Sequence, residues 1–346
     1  MEYGHKVWAQ WGPTNERRSA MNYIDKLSAD LVQNEQKLNG IPSNVGMFDV
    51  KTANQTIIEA KQRPNPDRLW LTLWYEGEVC CLFADSNVGK SIYAVQIATE
   101  IAKWKRVLYF DFELSDKQFQ LRYTDNNGNL FTFPDNLYRV SINPEKYDCD
   151  NLEDNIITDI ENTAIQSEAK ILIIDNLSYL CIAAEKSDLA GRLMQRLIGL
   201  KKKHDLSILV LAHTPKRPLT ESLTQNHLAG SKKLFNFFDS AFAIGKSAID
   251  PNLRYIKQIK VRNGSFEYDA GNVIVCSIEK ENAFLQFVQK NFATENEHLK
   301  VQTDADKEQL AATIKDLSGA GKSIREIAEE TGVSKSTVQR ILNHKK

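Results

Sequence analysis

A chain of 346 residues has room for one large domain and a small companion, and 42% hydrophobic with 26% charged residues suits a buried globular core. The 44 Lys+Arg against 45 Asp+Glu leave a net charge of -1, which excludes a whole-chain basic field for nucleic acid, so any such contact must come from a local patch. Five cysteines without metal-ligand spacing read as small buried hydrophobes in a reducing compartment, and no apolar run approaches the roughly 20 residues that span a bilayer. Together with the absence of a signal-peptide pattern in Met1–Pro13, this points to a cytoplasmic protein with no membrane partner.

Residues 1–66 form a polar extension with one amphipathic helical pattern from Ser19 to Leu38. Arg63-Pro64-Asn65-Pro66-Asp67 breaks the chain, because each proline restricts its predecessor and cannot donate a backbone hydrogen bond. From residue 67 to 290 a main domain follows. Its short apolar runs, Glu78–Phe83, Val107–Phe112, Lys170–Asp175 and Leu206–Ala212, alternate with helical stretches at Ser91–Trp104 and Leu189–His204. That alternation predicts an α/β fold with a mostly parallel sheet buried on both faces. After Phe238 the runs Ala241–Ile244, Arg254–Val261, Asn272–Ile278 and Phe284–Val288 are joined by short turns, which predicts an antiparallel extension at one edge. Residues 291–306 read as a linker and 307–346 as a small all-α domain.

Ala84-Asp85-Ser86-Asn87-Val88-Gly89-Lys90-Ser91 lies between the first strand and the first helix of this domain. It fits the phosphate-binding loop, with alanine where the usual pattern starts on glycine. The loop amides and the helix N-terminus would face phosphate oxygens, Lys90 would reach the terminal phosphates of ATP, and Ser91 would coordinate Mg2+. Such a loop calls for a carboxylate ending a second buried strand to hold the magnesium, and Asp175 follows Ile171–Ile174. Hydrolysis calls for a group to polarise the attacking water. Glu113, after the strand Val107–Phe112, is the candidate, with Asp111 as its rival. His213, ending the fourth strand, would lie at the same sheet edge and could sense the terminal phosphate.

In that order, the loop, Asp111-Phe112-Glu113-Leu114-Ser115, Ile171–Ser178, Ala212-His213-Thr214 and Lys260-Val261-Arg262-Asn263-Gly264 resemble RecA-like ATPases. The similarity is to the branch of RepA-type plasmid replicative helicases and DnaB-type helicases. The resemblance implies Glu113 as catalytic glutamate and Asp175 as the Walker B aspartate. It implies Arg262, assisted by Lys260, as an arginine finger inserted into a neighbour's site, and therefore a homo-oligomer, a hexameric ring. It also implies two loops, about Leu180–Asp188 and Thr214–Asn226, that touch single-stranded DNA in a channel, where Lys186, Lys216 and Arg217 are the available basic residues.

The last forty residues pair two capped helices around a Gly332 turn: Ser323 with Glu326 makes a capping box, and Ser334 is a second N-cap. Ile327, Val333, Val338 and Ile341 supply a shared core. This resembles the helix-turn-helix of resolvase-type DNA-binding domains, which implies that Lys335, Ser336, Thr337, Gln339 and Arg340 face double-stranded DNA. Two functions share every one of these residues. One is a DNA-dependent ATPase that acts as helicase or translocase of a plasmid or mobile element. The other is an ATP-switched DNA-binding regulator or recombination accessory without motor activity.

Overall fold

The computed structural model describes residues 44–143, 145, 152–176, 187–214, 217–228, 232–301, 304–331 and 333–343. The helix expected over Ser19–Leu38, and Lys186, Lys216 and Gly332, lie outside these. Contacts divide the chain after Asn65. The described part of the first unit is a small hairpin, β1 (Asn44–Val45) with β2 (Phe48–Asp49), followed by α1 (Ala53–Lys61). Thr52 and Gln55 close a capping box at the start of α1. The hairpin leaves Met47 and Phe48 largely in solvent.

In the second unit, β3 (Arg68–Trp70) and β4 (Trp74–Tyr75) form a short antiparallel pair that leads into β5 (Val79–Ala84). Then follow α2 (Lys90–Ala102), β6 (Val107–Asp111), α3 (Asp116–Arg122), β7 (Leu137–Val140) and α4 (Leu152–Gln166). Next come β8 (Ile171–Asp175), α5 (Ser187–His204), β9 (Ser207–His213), α6 (Lys232–Phe235) and β10 (Ser240–Lys246). The sheet is completed by β11 (Leu253–Lys260), β12 (Val273–Glu281) and β13 (Phe284–Ala293). Its nine strands run in the order β13-β12-β11-β10-β5-β9-β8-β6-β7. From β10 to β7 all neighbours are parallel, and β11, β12 and β13 extend the sheet antiparallel, as the change of rhythm after Phe238 predicts. This is an α/β arrangement, a mostly parallel sheet with an antiparallel extension at one edge.

The sheet separates two cores. One holds Val79, Cys81, Phe83, Leu172 and Ile174 with α4 and α5; the other holds Cys80, Leu82, Ala84, Tyr109 and Ile173 with α2. Strands covered on both faces must be apolar at every position, and all six residues of β5 are buried. The β12–β13 hairpin closes over α2: Gln96 donates to the Phe287 carbonyl at 3.1 Å, and its own side-chain oxygen accepts from the Phe287 amide at 2.8 Å.

The expected linker 291–306 needs correction. Residues 291–293 finish β13, and Glu295–His298 form a 3-10 turn with Glu295 and His298 buried. The Glu295 carboxylate accepts from the Leu223 amide at 2.7 Å and from Lys257 and Ser222. His298 accepts or shares a proton with Ser247 at 2.9 Å, and the Lys300 amide donates to the Leu219 carbonyl at 2.9 Å. Partners from distant segments satisfy the buried Glu295 carboxylate, while His298 is bonded through Nδ1 and its Nε2 is buried without a hydrogen bond.

The chain ends in α7 (Asp304–Gly319), α8 (Ile324–Thr331) and α9 (Lys335–Asn343), which share a core of Ile314, Ile327 and Val338. Ser323 and Glu326 form the predicted capping box, and Ser334 accepts from the Thr337 amide at 3.1 Å. Lys335, Ser336, Gln339 and Arg340 are exposed, whereas Thr337 is half-buried.

Candidate nucleotide site

Parallel strands place their carboxyl ends at one edge, and the site lies along that edge. In register, Ala84 faces His213 and Asp111 faces Asp175, so β5, β9, β8 and β6 each contribute a terminal group. Between β5 and α2 the chain turns through left-handed backbone at Asn87 (φ 61°) and Gly89 (φ 108°). Alternating left-handed residues of this kind turn successive amides inward, toward an anion. Gly89 is required on two counts: its φ is foreign to side chains, and a Cβ there would come within 2.8 Å of the Ile278 side chain and 3.0 Å of the Phe287 ring. Gly89→Ala is therefore expected to destabilise the domain by about 1–3 kcal/mol, read in thermal unfolding, and to weaken ATP binding in the same protein.

Lys90 is buried and bends back over its own loop, donating to the Ala84 carbonyl at 2.9 Å and the Asp85 carbonyl at 3.1 Å. Burial lowers its pKa against the opposing pull of Asp175, Glu113 and Asp85. Its ammonium also lies 3.1 Å from Nδ1 of His213. An ammonium only donates, so Nδ1 accepts from Lys90, and the other ring nitrogen is Nε2. That nitrogen lies 3.5 Å from the Glu113 carboxylate. The hydrogen bond from His213 is the main reason the Glu113 pKa lies below the usual carboxylate value.

Asp175 is 1% exposed. Burial pushes its pKa up to about 6, countered by Ser91 and by the Tyr109 hydroxyl, which donates to Oδ2 at 2.6 Å. Its other oxygen, Oδ1, is buried without a hydrogen bond, in a carboxylate that the Ser91 side chain also reaches. A buried carboxylate oxygen with no partner next to a hydroxyl is a donor set suited to Mg2+, which takes oxygen ligands. Ser91 and Asp175 therefore fit the ion that the loop calls for.

Glu113 and Asp111 differ in their surroundings. Asp111 accepts from the Glu113 and Leu114 amides at 3.1 and 2.9 Å and pairs with Arg139 at 2.9 Å, so its carboxylate is consumed in holding the turn after β6. Glu113, whose side chain is 41% exposed, stays accessible beside Lys90 and His213.

Several site residues carry no sequence signature. Asn176, next to Asp175 and 3% exposed, donates to Glu113 and lies 3.1 Å from His213 Nε2. Thr214 donates its hydroxyl to Asp85 and ties the end of β9 to the phosphate loop. Arg122 lowers the Glu113 pKa and has one buried guanidinium nitrogen without a hydrogen bond. Only the buried contacts single these residues out.

Other predicted residues are not brought here. Lys260 and Arg262 stand at the opposite end of the sheet from the phosphate loop of their own chain, since Lys260 registers with Ala241 and that residue with Cys81. Arg217, expected to offer its charge to DNA, is half-buried; it donates to the Glu221 carbonyl and bonds the Tyr255 hydroxyl, and its Nε is shut off from solvent.

Residues 48–218 match the family described as AAA domain, which covers the phosphate loop, Glu113, Asp175 and His213. Residues 303–345 match the helix-turn-helix domain of resolvase. The chain carries a P-loop ATPase domain and a DNA-associating helix-turn-helix. No curated protein matches it in sequence. Among solved structures it is similar to a KaiC-like protein from the hyperthermophilic archaeon Pyrococcus horikoshii OT3. That likeness has 12% identity, a TM-score of 0.45, and coverage of 62% of this chain and 91% of the other. Among the described residues, no helix is long and apolar enough to cross a membrane.

Proposed function

We propose that the protein is an oligomeric, DNA-dependent ATPase, a helicase or translocase of a plasmid or mobile element, brought to its site by the helix-turn-helix. The observation that carries this reading is the division of the catalytic groups. Lys90, Ser91, Glu113, Asp175 and His213 gather at one edge of the sheet, while Arg262 is held at the far edge with a side chain 60% exposed. Beside Lys90 and Arg122 at the site, the chain displays a further guanidinium at the opposite end of the sheet, and a second copy would bring it to the transferring phosphoryl group. A ring meets that need with one repeated head-to-tail contact.

In this scheme the loop and Lys90 bind the phosphates of ATP, and Ser91 and Asp175 hold Mg2+. Bound there, the ion neutralises charge on the phosphate oxygens. Glu113 orients the attacking water and accepts its proton. A terminal phosphate would draw the Lys90 ammonium away from Nδ1 of His213. His213 and Asn176 would then register the nucleotide state beside Glu113, and Thr214 would pass it to the following loop. Lys335, Ser336, Thr337, Gln339 and Arg340 would contact duplex DNA through α9, each copy weakly, with the assembly adding avidity.

The motor is tested by strand displacement. Wild-type protein is expected to unwind a forked duplex with ATP, and Lys90→Ala to reduce both unwinding and turnover to background. The inward-turned Arg217 favours a second reading, a switch in which hydrolysis changes assembly on DNA without translocation. Vigorous DNA-stimulated turnover with no strand displacement or translocation would remove the motor and leave the switch.

A further inference from the structure

The two residues just before the paired strands β5 and β10, Glu78 and Asp239, are buried acids at 2% and 5% exposure, remote from the nucleotide edge. We propose that Asp239 is the positioning residue of Arg262, and that Glu78 fixes the turn which carries it. This rests on the reading of Arg262 as a group acting in a neighbour's site.

The Asp239 carboxylate has three partners. Oδ2 accepts from the Val79 amide at 2.9 Å and from Lys201 at 2.8 Å; Oδ1 accepts from Arg262 Nη1 at 2.5 Å. Glu78 accepts from the Ser240 hydroxyl at 2.7 Å, the Tyr75 amide at 3.2 Å and the Asn263 side chain at 3.0 Å. Residues 262 and 263 are therefore bound, one each, to the residues just before the strand pair whose other end is the phosphate loop. Gly264, at φ 102°, completes the bend.

Three consequences follow from the chemistry. First, the Asp239 anchor sits beside Val79, five residues before Ala84, or about 16 Å from the loop at roughly 3.3 Å per residue. Arg262 is thus held where it cannot serve its own site. Second, a guanidinium has five N–H donors, and Asp239 takes one nitrogen of a side chain that remains 60% exposed. The rest of the fork stays free for phosphate oxygens. Third, a single carboxylate would cancel the charge of the arginine it orients. Lys201 shares Asp239 and offsets that, so the triad keeps a net positive charge toward a polyphosphate.

The full chain is assayed with Mg-ATP, with and without single-stranded DNA. Asp239→Asn is expected to lower kcat about 10²-fold, the scale of a misplacement near 1 Å, with KM for ATP little changed. Reduced turnover alone would also follow from a weakened core, so the deciding measurement is complementation. Asp239→Asn is co-assembled with Lys90→Ala, which is inactive but keeps an intact Arg262. In a randomly mixed head-to-tail ring about a quarter of the interfaces pair an intact loop with a well-positioned arginine, and turnover is expected to recover toward that fraction.

If Arg262→Ala recovers with Lys90→Ala but Asp239→Asn does not, Asp239 acts within its own chain and the proposal falls while the finger reading stands. If Arg262→Ala turns over normally by itself, both fall. Should Asp239→Asn not fold, Asn263→Ala, at an exposed position, is used in its place. It is expected to lower kcat and recover in the same mixture, and wild-type turnover by this variant would overturn the proposal.

Discussion

Arg262→Ala is expected to lower kcat for ATP by about 10³-fold or more while leaving nucleotide affinity near wild type, since an arginine finger contributes about 10³–10⁵ to phosphoryl transfer. The argument is positional. At the far end of the sheet Arg262 touches nothing that its own chain uses to hold the nucleotide, so its removal cannot weaken binding directly. It would remove only the charge that meets the phosphoryl group in transit. Nucleotide binding by fluorescence titration, set beside steady-state turnover, separates the two effects. Arg262→Lys is expected to recover little, because a point charge cannot reproduce the planar fork. Full turnover by a monomer, shown by light scattering under assay conditions, would contradict the scheme.

The second large effect is at Glu113. Glu113→Gln keeps the shape and can still accept from Asn176, yet it loses the negative charge and the capacity to take a proton. Its kcat is expected to fall about 10²–10⁴-fold with Mg-ATP still bound, so the variant should trap a long-lived ATP-loaded state on DNA. Asp111→Asn serves as the contrast. Its side chain is fully buried and paired with Arg139, so the loss should appear as reduced stability, on the order of 3 kcal/mol, before any specific loss of turnover. If Asp111→Asn instead folds normally and abolishes hydrolysis while Glu113→Gln does not, the roles assigned to the two carboxylates are reversed.

Much of this site was legible in the sequence because a phosphate loop is a local object: strand, turn and helix are consecutive, and Gly89-Lys90-Ser91 names itself. Asp175 and His213 were legible too, since each ends a fully apolar run and parallel strands end at one edge. What local pattern could not show was the pairing across strands. Asn176 and Thr214 look like ordinary polar residues after a strand, and only the register of β5, β9 and β8 brings them to Glu113 and Asp85. Strand β7 escaped notice because Leu137–Val140 is a short edge strand with an exposed Tyr138 in mid-run. The stretch after β13 misled for a related reason. Glu295 and His298 look solvent-bound in sequence, and the lysine, serines and amide that bond them lie far along the chain. Arg217 shows the converse, a loop cation that reads as a phosphate contact and also bonds the Glu221 carbonyl and the Tyr255 hydroxyl.

The docked turn at Glu295–His298 also decides how far the DNA reader can travel. With the Lys300 amide fastened to Leu219, only residues 301–303 separate the ATPase body from the first helix of the terminal domain. Three residues reach at most about 10 Å when fully extended. The reader is thus on a short leash rather than a whip. In the proposed oligomer, two copies would grip one duplex only where the ATPase bodies stand at matching intervals, so the spacing of usable DNA half-sites would become a ruler for the assembly.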